Sequence, residues 1–155
     1  MIVPQVQRWL LVTVVVGGMA LLSYTTVAPS PRQNAEFGGV SLNIEYATTS
    51  AARELGLGGR TSISDKYGML FVFPKDDFYG FWMKDTLLPL DIFWLDYKGH
   101  VVYIASDVAT SSYPNVFYST EPARYVLETI AGFARTHGVT KGTRLLLKNF
   151  PIVSE

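Results

Sequence analysis

Lys84, Asp85 and Asp91 form the sharpest chemical cluster in the chain. A lysine beside two carboxylates can hold a polar ligand, or do acid–base work if burial moves the proton affinities of the three groups. The same trio can equally be an ion pair that fixes a strand end, with Asp91 capping the turn after Pro89. Arg53 and Arg60 flank a glycine-rich bend, Gly56 to Gly59. Two guanidinium forks in that position suit a carboxylate or phosphate, and Glu54, Asp65 or Glu128 are their alternative, structural partners. Trp82, with Phe81 and Trp94, offers rings on which a sugar could stack, although aromatic side chains dominate small-domain cores. Strand alternation sends Phe81 and Met83 to one face and Trp82 to the other. The candidate ligand-binding residues are therefore Arg53, Arg60, Trp82, Lys84, Asp85 and Asp91. One of the two arginines is expected to approach the Lys84–Asp85–Asp91 corner, because every one of these groups falls at the loop side of an element.

Several chemistries find no support. The histidines are His100, in a turn, and His137, beside a glycine; with no cysteine, neither a zinc site nor a disulfide is expected. Gly56-x-Gly58-Gly59 follows a helix pattern, whereas a phosphate loop needs strand, loop, then helix. Asp76 and Asp77 lack an EF-hand pattern, and no serine elbow is present. No cofactor and no metal is expected. Thirteen basic residues balance thirteen acidic ones, so there is no basic face to displace counterions and no case for nucleic acid.

The elements that must position these groups read as follows. Val40, Leu42, Ile44 and Tyr46 alternate with polar residues, a half-buried strand. Thr48 to Ser50 supply N-cap candidates for a short helix through Leu55, stopped by Gly56. Met69 to Phe73 and Tyr79 to Met83 read as strands joined by a turn at Pro74 to Asp77. Leu87 to Leu90 reads as a connector. Ile92 to Asp96 and Val101 to Ala105 make a hairpin across Tyr97 to His100, with Gly99 at positive φ. Ser111 to Thr120 reads as a long loop, Tyr125 to Glu128 as a strand, Gly132 to His137 as a helical turn or two, and Leu145 to Lys148 as a last strand. The sum is an α+β fold: a mostly antiparallel, barrel-like sheet of about seven short strands with two short helices.

Ahead of this domain, residues 9 to 28 carry no charge. As a helix they would span about 30 Å, the thickness of a bilayer core. Arg8 gives the positive flank, and the sequence around Ala28–Pro29 is a poor cleavage site, so residues 1–28 are expected to be a retained single-pass anchor with the domain outside the cytoplasm. Residues 29–38 read as a linker stiffened by Pro29 and Pro31, residues 39–150 as the soluble domain and 151–155 as a tail.

Several motifs in order resemble one family. Arg53, Gly56-Leu57 and Arg60, then Gly68-Met69-Leu70-Phe71-Val72-Phe73, Trp82-Met83-Lys84 and Pro89-Leu90-Asp91, are followed by Ala123 to Glu128 and Ala131-Gly132-Phe133. From Val40 to Leu147 the chain is similar to the bacterial and archaeal family called domain of unknown function 192. In that family asparagine usually stands where this chain has Asp85, methionine where it has Gly58, and some relatives carry a proline–cysteine pattern that residues 111–120 lack. The resemblance implies a domain and no activity. The function expected is a membrane-anchored extracytoplasmic binding module for a polar small molecule or envelope component. The alternatives are a hydrolase-like enzyme using Asp85 and Asp91 as acid and base, with Lys84 tuning them, and a structural envelope protein that docks another protein.

Overall fold

A single parity rule organises the domain: along each central strand, alternate residues enter two different cores. In β3 (Tyr67–Asp77), Leu70 and Val72 join one core while Met69 and Phe71 join the other. In β5 (Leu90–Leu95), Phe93 and Leu95 go one way and Ile92 and Trp94 the other. Tyr125 and Leu127 of β8 (Ala123–Ile130) oppose Val126 in the same manner. These strands are apolar on both sides because both sides of the sheet are covered. The computed structural model describes residues 32–154.

The remaining strands of the main sheet are β1 (Arg32–Phe37), β2 (Val40–Ala47) and β6 (Val101–Val108), in the order β1-β2-β3-β8-β5-β6. All neighbours are antiparallel except β2 and β3, which run parallel, so the sheet is mixed. The parallel pair requires a crossover, supplied by α1 (Ser50–Leu55) and the loop after it. The Thr49 Oγ1 accepts from the Ala52 N–H at 3.1 Å and caps α1, and Gly56, at φ +49°, ends it. A second sheet has two strands, β4 (Phe81–Trp82) and β7 (Val116–Phe117). It covers one face together with α1; α2 (Phe133–Thr136) and the segment after it cover the other.

The hairpin of β5 and β6 forms as expected, with Gly99 at φ +85° and the Asp96 Oδ1 accepting from the Lys98 and His100 N–H groups at 2.8 Å. Other expectations are corrected. The sheet does not close into a barrel: β1 and β6 are its two edges. The expected last strand at Leu145 to Lys148 is replaced by single bridges, Leu146 to Glu36 and Arg144 to His100, which tie the segment to both edges without a ladder. Residues 32–37, read as linker, are strand β1, because Ala35 and Phe37 alternate into the core opposite Leu42 and Val40. There is no turn at Pro74. β3 runs through it to Asp77, and the missing donor is tolerated because the ladder with β8 shifts register between Val72 and Asp77. Strand β4 therefore pairs with β7 from the segment read as loop, and not with β3. The expected anchor, residues 1–28, lies outside the described residues. Among the described residues, no helix is long and apolar enough to cross a membrane.

Candidate functional site

The parity rule places a charged residue among apolar ones on the α1 face of the sheet. Glu128 has the parity of Val126, so it stands on the α1 face of the sheet, in a row between Met69 of β3 and Ile92 of β5. It is 5% exposed. Burial alone moves its carboxyl, which is pushed up to about 8, and no described residue bonds to it or holds a charge close enough to shift it. A carboxylic acid so nearly buried and given no hydrogen-bond partner among the described residues costs stability, and native structures seldom retain one without a use.

Glu128 opens into a cavity of about 420 Å³, a size suited to a small organic molecule. Phe71 and Phe81, edge to face at 4.8 Å between centroids, form the apolar inner wall. The more exposed Phe73, Trp82 and Tyr118 also line it, together with Arg53 and Lys84. Two glycines shape the space. A Cβ on Gly56 would stand 3.3 Å from the Phe71 ring, and one on Gly80 would come within 2.7 Å of both Val116 and Tyr118, the lip formed by β7 and the residue after it.

Arg53 has no carboxylate partner among the described residues. Its Nη1 donates to the carbonyls of Thr48 and Val72 at 2.8 and 2.9 Å, and its Nη2 to the Ser50 Oγ at 3.3 Å. Its guanidinium lies 5.2 Å from the centre of the Phe73 ring. Lys84 touches only Glu54, at 3.9 Å, with both side chains well exposed, and its Nζ sits 5.9 Å from the centre of the Trp82 ring. As alternation requires, Trp82 is turned outward, 42% exposed, while Phe81 and Met83 are buried.

The other sequence candidates go elsewhere. Asp85 lines an adjoining depression with Gly58, Gly59 and Lys84. Its φ is +54° and its carbonyl accepts from the Gly59 N–H at 2.9 Å, so its backbone pins the glycine bend. Aspartate tolerates that conformation better than most residues, so this backbone role does not need the carboxylate. Arg60 is committed to Glu45, at 2.8 and 3.3 Å, and to the Tyr67 hydroxyl at 3.0 Å, with Arg32 on the same carboxylate at 3.1 Å. Burial pushes Glu45 up, but the bonds from Arg60 and Tyr67 and the two guanidinium charges outweigh it and leave the group below its ordinary range. Arg60 is thus structural; Arg53 lines the same cavity as Lys84, but the Lys84–Asp85–Asp91 corner that an arginine was expected to approach does not form, because Asp91 lies on the other face.

Asp91 differs from Ile92 by one residue and therefore by one face. It is fully buried on the α2 side. Its Oδ1 accepts from the N–H groups of Asp107 and Gly132 at 2.7 and 3.2 Å, and its Oδ2 from Ala134 at 2.8 Å, joining β6 to the start of α2. It caps, as the structural alternative held, but a helix and not the turn after Pro89. An acid–base pair of Asp85 and Asp91 is thereby lost. Among the described residues no three acidic or histidine side chains gather to hold a metal ion.

Glu128, named in the sequence reading only as a partner for an arginine, carried a legible signal. In Tyr125-Val126-Leu127 both parities are apolar, so the next residue must be buried whichever way it points.

Among solved structures, the chain is similar to a Sinorhizobium meliloti 1021 protein described provisionally as a transcription regulator. The TM-score is 0.73 and the identity 30%, over 77% of this chain and 96% of that one. It is also similar to a Novosphingobium aromaticivorans DSM 12444 protein of unknown function, with a TM-score of 0.69 and 27% identity, over 84% of this chain and 100% of that one. No curated protein matches. Residues 33–147 match the family model described as an uncharacterized ACR, and the chain belongs to that family, domain of unknown function 192 (DUF192).

Proposed function

We propose that the domain is a binding module whose ligand is a small molecule seated between α1 and the β4–β7 sheet. The observation that carries this reading is Glu128, a buried carboxyl without a partner among the described residues, lining a ligand-sized cavity. Arg53 and Lys84, both with unused donors, supply polar recognition, and the rings supply apolar area. Among the described residues no carboxylate shifts Glu128, and Glu54, the other acid lining the cavity, is exposed and faces Lys84, which favours binding over hydrolysis by an acid–base pair. The regulator description of the Sinorhizobium protein gains nothing from this chain's charge, which is thirteen against thirteen. Residues 9–28 would tether the module to a membrane, with the domain on the outer side; an intact N-terminus on membrane-extracted protein, found by mass spectrometry, tests that part.

Lys84→Met tests the binding reading. Lys84 is exposed and its one contact is long, so the substitution should leave the melting temperature within a degree or two. A small-molecule screen by melting shift should find saturable ligands for the wild type that the variant binds at least tenfold more weakly. A marked loss of stability, or an empty screen against the wild type, would favour the structural protein instead.

A further inference from the structure

We propose that the ligand is zwitterionic: an amine whose ammonium is held by Glu128 and the faces of Phe71 and Phe81, with an acid group at the far end of an apolar body meeting Arg53 and Lys84. This rests on the reading of the cavity as a ligand site and assigns its chemistry.

The cavity is polarised along its depth. Its outer rings already carry protein cations, Arg53 over Phe73 and Lys84 over Trp82. Among the described residues, the buried rings Phe71 and Phe81 carry none, and the buried ionisable side chain that lines the cavity with them is an acid. Aromatic faces with a carboxyl are the surroundings that recognise an ammonium. The outer end suits an anion: a guanidinium has five N–H donors, three of Arg53's are engaged, and the remaining two have no acceptor among the described residues, while Lys84 lines the same cavity and is held only loosely by Glu54, at 3.9 Å.

The alternatives fit less well. An acid group pointing inward would meet the negative faces of the Phe71 and Phe81 rings, and an apolar end would leave the buried carboxyl without a hydrogen-bond partner. A neutral hydroxyl or amide would satisfy Glu128 but gain nothing from the ring faces. Only an inward ammonium uses both.

The proton balance is simple. Glu128 holds its proton in the free protein near neutral pH because burial raises it to about 8. An arriving ammonium favours the carboxylate, so Glu128 gives one proton to solvent and the amine keeps its own. The groups around Glu128 do not blur this. Met69 and Phe71 on β3 and Ile92 on β5 do not ionise, while Arg53 and Glu54 on α1, Lys84 and Tyr118 line the cavity too far off to shift Glu128. Glu45 is two strands away in the same row, beyond Met69, and is paired with Arg60 and Arg32.

The test uses three probes of one chain length, 6-aminohexanoate, hexylamine and hexanoate, titrated calorimetrically into the full chain. The expected order is 6-aminohexanoate tightest, hexylamine weaker and hexanoate weakest. Between pH 8 and pH 6 the affinity for the two amines should fall roughly fifty-fold, following the ionised fraction of Glu128. At pH 7 their heats in buffers of different ionisation enthalpy should show close to one proton released. Glu128→Gln should weaken both amines at pH 8 by at least tenfold and leave hexanoate within twofold. Hexanoate binding as tightly as 6-aminohexanoate, unchanged amine affinity in Glu128→Gln, or no binding by either amine would each overturn the zwitterion assignment. The cavity reading itself fails only if the wider screen against the wild type is also empty.

Discussion

Replacing Glu128 with glutamine removes a proton site and keeps the shape, so its effect on stability should depend on pH in a calculable way. The carboxyl is held near 8 in the folded chain against an ordinary value of 4.5. Between those values the folded state keeps a proton that the unfolded state loses, so wild-type stability falls as pH rises, by up to about 1.4 kcal/mol per unit. From pH 5 to pH 8 the loss attributable to Glu128 sums to about 3–4 kcal/mol. Glutamine cannot ionise, so any fixed cost of burying its amide is the same at each pH and cancels from the comparison. Glu45, held below its ordinary range, changes in the opposite sense, gaining stability with pH, and does so below this window. With a urea slope of about 1–2 kcal/mol/M, the variant's midpoint should rise relative to the wild type's by roughly 2 M between pH 5 and pH 8. Urea melts followed by tryptophan fluorescence measure it directly, since Trp94 is fully buried in the same core. Parallel curves for the two proteins across that range would refute the placement of Glu128 as an unpaired buried acid.

Three further outcomes follow from the same geometry. Asp91→Ala leaves three backbone N–H groups without an acceptor, so chemical denaturation should show a loss of at least about 3 kcal/mol, placing Asp91 among the structural residues. Arg60→Leu breaks the paired contact on Glu45; because Arg60 is about one-third exposed, the loss should be modest, roughly 1–2 kcal/mol, with 6-aminohexanoate affinity unchanged by calorimetry. Gly99→Ala combines a positive φ with a Cβ only 2.4 Å from the Phe150 ring, so thermal melting should register roughly 2 kcal/mol of lost stability, and an unchanged Tm would place the hairpin turn elsewhere.

Local chemistry was legible wherever one element decided it. The cap at Thr49, the stop at Gly56, the hairpin turn at Gly99 and the split of Trp82 from Phe81 and Met83 all depend on neighbours in sequence. Long-range pairing was not. Pro74 reads as a turn residue in isolation, and only the register shift opposite β8 lets a strand pass through it. Arg32 to Phe37 reads as a polar linker because two of its six residues point inward, and those two suffice once β2 is beside them. The candidate site failed on parity. Asp91 was grouped with Lys84 by nearness in sequence, yet one residue of alternation sends it through the sheet. The same parity, applied to Tyr125 through Glu128, would have exposed the residue that matters more.

The direct measurement is a carbon-13 NMR titration of the Glu128 side-chain carboxyl, assigned by its loss in Glu128→Gln, on the free chain and with saturating 6-aminohexanoate. The free carboxyl should titrate near pH 8, and the midpoint should move down by about three units when the probe is bound, as the fifty-fold change in affinity requires. A midpoint in the ordinary carboxylate range in the free chain, or one that stays in place when the cavity is filled, would contradict the assignment of Glu128 as the acid that receives the ligand.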